Sequence, residues 1–558
     1  MSVLEKVKDR LIQSINKAAV QSEIVSVDQL PEVTLEVPKD KSFGDFSTNI
    51  AMQLTRIAKR NPRQIAEQIK ENLNYVEAGV ENVEIAGPGF INFFLDKSYL
   101  HQVISDVLEK GARYGALQVG NSEKIQIEFV SANPTGSLHL GHARGAAVGD
   151  ALSNLLDFAG YDISREYYIN DAGNQIDNLA KSIEARYMEQ LGKDMVMPED
   201  GYHGEDIIQF AKDLVSEEGD RLLSLGDIDK FEYFKRYGLE KELQKLKDDL
   251  TRFGVEFDVW FSETSLYQEK KTDAVLEELD KKGHTYEQDG AKWLRTTPFG
   301  DDKDRVLIKN DGSFTYLTPD IAYHKDKFNR GFNQLINIWG ADHHGYIPRM
   351  KAAITALGYE PNQLIVLISQ MVSLFQNGEK VKMSKRTGKA VTMKELMDEV
   401  GVDAIRYFFT MRSIDSHLDF DMDLAISTSN ENPVYYVQYA YARICSIFRQ
   451  ADEQGITILP LEQIDISLLN TESEFNLLLK VATLYDEVQV ATEQYAPHRI
   501  IRYVYELASL FHSYYKAQRV ILEDDEKLTQ ARLIFLSALK TVFENCFSII
   551  GISAPEKM

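Results

Sequence analysis

Two short segments of this chain carry residues suited to handling a polyphosphate, and they lie about 240 residues apart. The first is Ser131-Ala-Asn-Pro-Thr-Gly-Ser-Leu-His-Leu-Gly-His142, and the second is Val381-Lys-Met-Ser-Lys-Arg386. His139 and His142 stand three residues apart, so one helical turn brings both imidazoles to the same face. Each imidazole offers a compact hydrogen-bond donor to a phosphate oxygen. Gly141 between them leaves room for an adenine ring at the backbone, and Pro134 and Gly136 shape the preceding turn. Lys382 and Lys385 add mobile point charges that can follow charge developing on a leaving pyrophosphate. Gly378 and Gly388, on either side, let that loop close over a substrate. A metal-binding pair is the alternative for the histidines, although no third ligand lies nearby. A solvated basic loop is the alternative for the lysines.

The elements around these segments read as a positioning device. Ile125 to Val130 is an apolar, partly alternating run, and Ala143 to Ala159 repeats its apolar residues at helical spacing. Strand, turn and helix follow in that order. His139 and His142 therefore meet the free N–H groups and positive end of a helix, where an anion is favoured. Further strand candidates are Ser164 to Ile169, Leu335 to Trp339 and Leu364 to Ile368, as in βαβ units on a parallel sheet. Residues from about 173 to 255 are charged and mostly helical, an insertion between the halves of that sheet. Within it, Glu217-Glu-Gly-Asp220 and Lys245-Leu-Lys-Asp-Asp249 read as solvated helix faces.

The chain starts with helical patterns at Leu4 to Ala19, Asn49 to Ile57 and Pro62 to Leu73, then short strands at Val83 to Ala86 and Phe90 to Phe94. Long helical patterns close it: Val434 to Arg449, Leu477 to Gln494, His498 to Val520 and Leu528 to Phe547. The expected fold is α/β and multidomain. Residues 1–115 form a small N-terminal α+β domain, 116–415 a Rossmann-like parallel-sheet catalytic core, and 416–558 a C-terminal all-α bundle.

Composition narrows the class of protein. The net charge of −24, from 62 basic and 86 acidic residues, argues against indiscriminate coating of nucleic acid but permits a specific nucleic-acid partner. Apolar residues make up 44% and charged residues 27%, yet no apolar run approaches the roughly 20 residues needed to cross a bilayer. The first ten residues lack a signal-peptide core. Cys445 and Cys546 are far apart and have no metal-ligand spacing, so neither a disulfide framework nor a zinc site is indicated. A reducing cytoplasm and no membrane are expected.

His139-Leu-Gly-His142 resembles the HIGH signature of class I aminoacyl-tRNA synthetases. Lys382-Met-Ser-Lys385 matches their KMSKS signature up to the last place, where Arg386 replaces serine. With Ser131-Ala-Asn-Pro-Thr-Gly136, Asp403-Ala-Ile-Arg406 and the final bundle, the whole chain is similar to arginyl-tRNA synthetases in their bacterial form. The resemblance implies attack of the L-arginine carboxylate on the α-phosphate of ATP, followed by transfer of the arginyl group to tRNA(Arg), with release of AMP and pyrophosphate. The protein supplies orientation and charge and no covalent nucleophile. Mg2+ accompanies ATP, held mainly by phosphates without a protein cage. His139, His142, Lys382 and Lys385 take the catalytic roles. ATP is bound by His139, Gly141, His142, His343, Met383, Ser384 and Lys385.

An arginine substrate needs carboxylates for its guanidinium. Glu263 ends the aromatic run Phe257-Asp-Val-Trp-Phe-Ser-Glu263, and Tyr316-Leu-Thr-Pro-Asp320 supplies Asp320 together with a ring to wall the aliphatic stem. Helix capping or salt bridging is the alternative for both acids. By resemblance, Asn133 anchors the α-amino or carboxylate group. Asp342, in the cluster Trp339-Gly-Ala-Asp-His-His344, contacts substrate or ribose where an open α/β sheet places its ligand loops. Gln370 is a candidate for adenine or the tRNA end.

For tRNA, the bundle offers Tyr439, Arg443 and Arg499 among interleaved aromatic and basic residues, although many of these tyrosines also suit the core. Phe90 and Asn92, two residues apart on one strand face, are candidates for the outer corner of tRNA. Asp403-Ala-Ile-Arg406 is expected to join the catalytic body to the bundle. Activation that needs bound tRNA, and a monomer, follow from the resemblance. A nucleotidyltransferase shares the His-x-Gly-His turn but leaves the bundle and first domain unexplained. A non-catalytic RNA-binding relative has no need of both histidines and both lysines. Lys385→Ala should slow adenylate formation by the equivalent of about 2–4 kcal/mol while leaving tRNA affinity nearly intact; single-turnover activation measures the first and filter binding the second.

Overall fold

The computed structural model describes residues 3–38, 40–381 and 391–558. The expectations for Lys382, Met383, Ser384, Lys385, Arg386 and Gly388 lie outside them. Helix Val3–Gln21 buries Val7, Leu11, Ile15 and Ala18 along one stripe. That stripe packs on helix Pro62–Asn72, which in turn lies on a three-stranded antiparallel sheet. Its strands are β1 (Phe46–Thr48), β2 (Val80–Ala86) and β3 (Phe90–Leu95), with β3 central. Pro62 occupies the first turn of its helix, and Asn61 caps it by accepting from Arg63 N at 2.9 Å. The single helix expected from Asn49 to Ile57 is two short ones, Ile50–Gln53 and Thr55–Ala58, with Leu54 at the joint.

The central sheet is wholly parallel. Its strands are β4 (Lys124–Glu128), β5 (Asp162–Ile169) and β6 (Val259–Ser262), followed later in the chain by β10 (Gln334–Gly340) and β11 (Leu364–Ser369). Their order is β11-β10-β4-β5-β6. Three helices, Asn174–Gln190, Glu205–Glu218 and Asp227–Arg252, form the insertion around a core that includes Leu179, Ile183, Phe210 and Phe234. Between β6 and β10 lies a small antiparallel sheet of β7 (Thr285–Gln288), β8 (Ala291–Leu294) and β9 (Arg305–Ile308). Beyond β11, β12 (Val372–Gln376) pairs with both β13 (Glu379–Val381) and β14 (Leu418–Asp421). Gly378 belongs to the tight turn between β12 and β13. Asn377 and Gly378 both have positive φ, 52° and 74°, as a type I′ hairpin requires. It shapes this turn, just before the segment outside the described residues.

A polar layer is sealed between this sheet and helix Leu317–Asn329. Lys327, fully buried, donates to Glu128 Oε2 at 2.6 Å and to Asn337 Oδ1 at 3.2 Å. The Asn337 amide donates to His324 Nε2 at 2.8 Å, and His324 Nδ1–H donates to the Asp320 carbonyl at 2.7 Å. Burial, and then Lys327, push the His324 pKa down to about 3, so the ring is neutral. Arg330 grips Glu166 with two bonds of 2.6 and 2.9 Å, and Tyr323 OH adds a third at 2.7 Å. Asp320, Tyr323, His324 and Lys327 fall at i, i+3, i+4 and i+7, one face of one helix.

The final domain comprises helices Pro433–Glu453, Glu472–Ala482, Leu484–Glu493, His498–Ala517 and Glu526–Ile550. The pattern Leu477 to Gln494 is divided at Thr483, whose hydroxyl takes the Lys480 carbonyl at 2.7 Å. By length and composition Glu526–Ile550 is apolar enough to cross a membrane, with mean hydropathy 1.6 over its apolar window, but 72% of that window is buried in the molecule. The segment leaving the first domain docks on this bundle. His101 Nε2 donates to Leu469 O at 2.7 Å, and Asn545 Nδ2 donates to Gly111 O and Tyr114 O at 3.0 and 3.1 Å.

Asp403-Ala-Ile-Arg406, on helix Val402–Thr410, fastens the bundle to the catalytic body. Asp403 accepts from Ser553 N at 3.0 Å, from Ser553 Oγ and from Gln438 Nε2 at 2.7 Å. Arg406 reaches Asp150 at 2.5 Å, the carbonyls of Phe253 and Gly254 at 3.1 and 3.2 Å, and Ile550 O at 3.1 Å. Three parts of the chain thus converge on one buried guanidinium. Arg406→Leu should cost about 3–5 kcal/mol, because the carbonyls of Phe253, Gly254 and Ile550 lose their buried donor and Asp150 keeps only Arg165, at 3.4 Å, as a cation among the described residues. Calorimetry should show a lowered thermal midpoint and a transition that separates into two.

Candidate active site

β4 ends in a strained turn. Val130 has φ of 68° and Ser131 φ of 39°, with Ser131 N bonded to Phe129 O at 3.0 Å across a γ-turn. Three contacts hold this conformation in place: Ser131 Oγ donates to Glu128 at 3.1 Å, Tyr168 N–H donates to Ser131 Oγ at 3.1 Å, and Tyr167 OH donates to Ala132 O at 2.8 Å. Asn133 follows, exposed at the carboxyl edge of the sheet.

The next helix, Leu140–Phe158, starts with His139 as its N-cap. His139 Nδ1 accepts from Gly141 N at 3.1 Å, and His142 Nδ1 accepts from His139 N at 3.2 Å. This is a capping box built from imidazoles. The two rings stack with centroids 3.7 Å apart. Gly141 leaves room for that stack, since a Cβ there would lie 3.1 Å from His139 Cε1 and press on the ring. Because each Nδ1 is an acceptor, each proton sits on Nε2, and two Nε2–H donors are left for a ligand. Burial lowers both pKa values, and His142 falls to about 4 with the repulsion of His139 added. The histidines are neutral donors at pH 7, and positive charge must come from elsewhere.

The chain beyond the second signature is joined directly to the first. Thr392 forms an antiparallel bridge with His139, and Met393 N–H donates to Leu138 O at 2.7 Å. Thr392 then caps helix Met393–Val400 in a capping box with Glu395. Arg144, two residues after His142 and fully buried, was not singled out from the sequence. It donates to the carbonyls of Gln370, Ser413 and Ser416 at 2.9, 2.9 and 2.7 Å, the approaches to β12 and β14. Burial lowers its pKa to about 10. Its one sequence signal is that no other lysine or arginine occurs in this mostly apolar helix. Gln370 thus serves through its backbone as an anchor of that contact.

Glu263 opens helix Glu263–Gln268 at the end of β6 and accepts from Tyr267 OH at 2.9 Å and from the Tyr168 hydroxyl. Asp320 accepts from Tyr346 OH at 2.5 Å. Burial raises the pKa of Glu263 against the pull of its two tyrosines. Burial likewise raises Asp320 to about 7, with the Tyr346 bond opposing and the charges of Glu128 and Glu263 adding. Among the described residues neither acid has an ion-pair partner, so salt bridging does not account for them. Two desolvated carboxylates that share a neighbourhood create a strong demand for a cation. Tyr168, Tyr267 and Tyr346 were missed. Only Tyr267 carried a local cue, four residues after Glu263 on the same helix.

Tyr316 stands apart from this pair, its ring 85% exposed at the start of helix Leu317–Asn329. Asp342 and His343 lie exposed on the turn Ala341–Tyr346 after β10, 3.4 Å apart. Tyr346, at the end of that turn, ties it to Asp320.

The expected tRNA residues divide. Phe90 is 37% exposed on β3, whereas Asn92 is 3% exposed and its side-chain oxygen is taken by Ser47 Oγ at 2.7 Å. Asn92 braces β1 against β3. In the bundle, Tyr439 stacks on Tyr435 at 5.5 Å, and the Arg443 guanidinium sits 4.3 Å over Tyr439 and 4.9 Å over Tyr515. Arg443 also meets His512 at 3.1 Å. Arg499 belongs elsewhere: it pairs with Glu487 at 2.8 Å, about 20 Å along its helix from His512 at 1.5 Å per residue.

Nothing in this arrangement attacks a substrate covalently. It sets two neutral imidazole donors at the carboxyl edge of a parallel sheet, with the two desolvated carboxylates in the same domain, an arrangement that fits a class I aminoacyl-tRNA synthetase. Comparison with known proteins narrows the class. The family described as "Arginyl tRNA synthetase N terminal domain" matches residues 5–95, "tRNA synthetases class I (R), catalytic domain" matches 103–410, and "DALR anticodon binding domain" matches 437–558. The chain is similar to the arginine–tRNA ligase of Bacillus licheniformis, at 58% identity, and to arginine–tRNA ligase 1 of Halalkalibacterium halodurans, at 59%, over 100% of each chain. A crystal structure described as an arginyl-tRNA synthetase of Campylobacter jejuni aligns with TM-score 0.76 and 38% identity, covering 83% of this chain and 100% of that one. The chain belongs to the arginyl-tRNA synthetase family. Its reaction is ATP-dependent ligation of arginine to tRNA through an arginyl adenylate.

The raised pKa of Asp320 sets a sign for stability. The fold disfavours its charged form, so stability falls as pH rises from about 4 to about 7 and is level above. Asp320→Asn should therefore raise the thermal midpoint at pH 8 by a few degrees, and the gap should narrow toward pH 4. Thermal unfolding at the two pH values measures this.

Proposed function

We propose that Glu263 and Asp320 receive the arginine guanidinium between them, with Asn133 and Asp342 at the α-amino and carboxylate end. The observation that carries this reading is the buried Glu263 and partly buried Asp320, whose hydrogen-bond partners among the described residues are tyrosine hydroxyls and no cation. A guanidinium supplies planar donors to both and cancels the repulsion between them. ATP lies along the His139–His142 turn, where two neutral Nε2–H groups donate to its phosphates and Gly141 and His343 border it. The arginine carboxylate attacks the α-phosphate, pyrophosphate leaves, and the arginyl group passes to the terminal adenosine of tRNA. Lys382, Met383, Ser384 and Lys385 meet the pyrophosphate by family resemblance.

Mg2+ enters with ATP and lowers the charge that must be neutralised. It is held mainly by phosphate oxygens. Phe90 contacts the outer part of tRNA, Tyr439 and Arg443 offer a stacking face with a cation to its anticodon end, and Arg499 joins only by leaving Glu487. Tyr316, exposed, closes on the arginine stem if it moves. We place the enzyme in the cytoplasm as a monomer. Light scattering at the mass of one 63.5 kDa chain supports the monomer, and twice that mass contradicts it.

Because Asp320 titrates near pH 7 without substrate, arginine affinity should be level above about pH 7.5 and fall below pH 7 by up to tenfold per unit. Glu263→Gln should weaken arginine binding by about 10- to 100-fold at pH 8 while ATP binding stays unchanged. Titration calorimetry measures both; an arginine affinity equal at pH 6 and pH 8 would contradict the assignment of Asp320.

A further inference from the structure

The helical insertion leaves the sheet after β5 and returns at β6, and one residue ties that neck. Asp171 lies two residues beyond β5, buried, before helix Asn174–Gln190. Its carboxylate spans the neck: Oδ2 accepts from Ser262 Oγ at 2.5 Å and Oδ1 accepts from Thr264 N–H at 2.8 Å. Ser262 and Thr264 are the neighbours of Glu263. Ser262 holds the N-cap position of helix Glu263–Gln268, yet its own side chain caps nothing there. Asp171 takes over that function from the segment after β5, satisfying a free N–H of the first turn. The backbone of Glu263 is thus gripped on both sides, while Tyr267 and Tyr168 orient its carboxylate.

We propose that Asp171 is a positioning residue for arginine recognition, holding Glu263 in the one placement that lets it meet the guanidinium. The proposal rests on the reading of Glu263 as a guanidinium partner. What Asp171 contributes is geometry, because its charge repels that of Glu263 and makes it harder to ionise. An asparagine in its place keeps the Oδ1 acceptor for Thr264, and its Nδ2–H can donate to Ser262 Oγ, a hydroxyl able to accept. Asparagine should therefore rescue what alanine loses.

The test is arginine and ATP binding by calorimetry at pH 8 on the full chain, with steady-state aminoacylation alongside. Asp171→Ala should weaken arginine about tenfold or more through the two lost hydrogen bonds, raise KM for arginine with little change in kcat, and leave ATP affinity within about twofold. Asp171→Asn should recover most of the loss. If the alanine variant does not fold, Ser262→Ala, which removes one of the two bonds, should still weaken arginine by about threefold. Unchanged arginine affinity in Asp171→Ala or Ser262→Ala, equal losses for arginine and ATP, or an asparagine variant as poor as alanine would overturn the role. Glu263→Gln separates the two readings. If it binds arginine normally, the pocket and the positioning role both fail. If it is impaired and Asp171→Ala is not, only the positioning role fails.

Discussion

The site depends on an ammonium group that has no access to water. Lys327 is buried between helix Leu317–Asn329 and the sheet, and desolvating its charge costs several kcal/mol unless a counter-charge is near. Glu128 provides that charge, and Asn337 and His324 complete the hydrogen bonding. Such a pair gives little net stability over apolar packing, but it permits only one register of helix on sheet. Glu128 also receives Ser131, which closes the strained turn that leads to His139. Two helical turns before Lys327, on the same face, stands Asp320. One buried lysine therefore fixes the distance between the phosphate-facing turn and the acid that awaits a guanidinium.

Around that layer the molecule is assembled by long-range contacts to backbone carbonyls. Arg144 holds the histidine helix to the approaches of β12 and β14, and Arg406 gathers the same helix, the end of the insertion and the last helix. Each spends its Nη donors mainly on carbonyl oxygens, while its buried Nε has no hydrogen-bond partner among the described residues. The first domain is linked to the bundle by His101 and Asn545. A displacement of the bundle would thus be felt at both ends of the chain.

Much of this was legible because local periodicity reports local structure. The strands β4, β5, β10 and β11, the helix after His142 and Asp403-Ala-Ile-Arg406 all carry their signal within a few residues. β6 did not, since four residues give no period to read, and the same holds for β1 and β7 to β9. Asn92 was expected to share a tRNA-facing surface with Phe90, but it is buried against Ser47, 45 residues away. Arg499 and Tyr439 share a composition and yet occupy different ends of one helical surface. Arg144, Tyr168, Tyr346 and Asp171 do their work through partners 26 to 272 residues distant, which no spacing rule encodes.

The helix Glu526–Ile550 has a consequence for how the molecule comes into being. It is synthesised after every part that it supports: Gly111 and Tyr114 receive Asn545, and Arg406 and Asp403 receive Ile550 and Ser553. While the ribosome is still at work, the faces that this apolar helix will cover stand open to water, and so does the helix itself as it emerges. Nascent chains therefore pass through a sticky stage that ends only when this helix docks, and until then aggregation competes with closure. Chains truncated by premature termination never leave that stage, which makes them ready clients for chaperones and proteases.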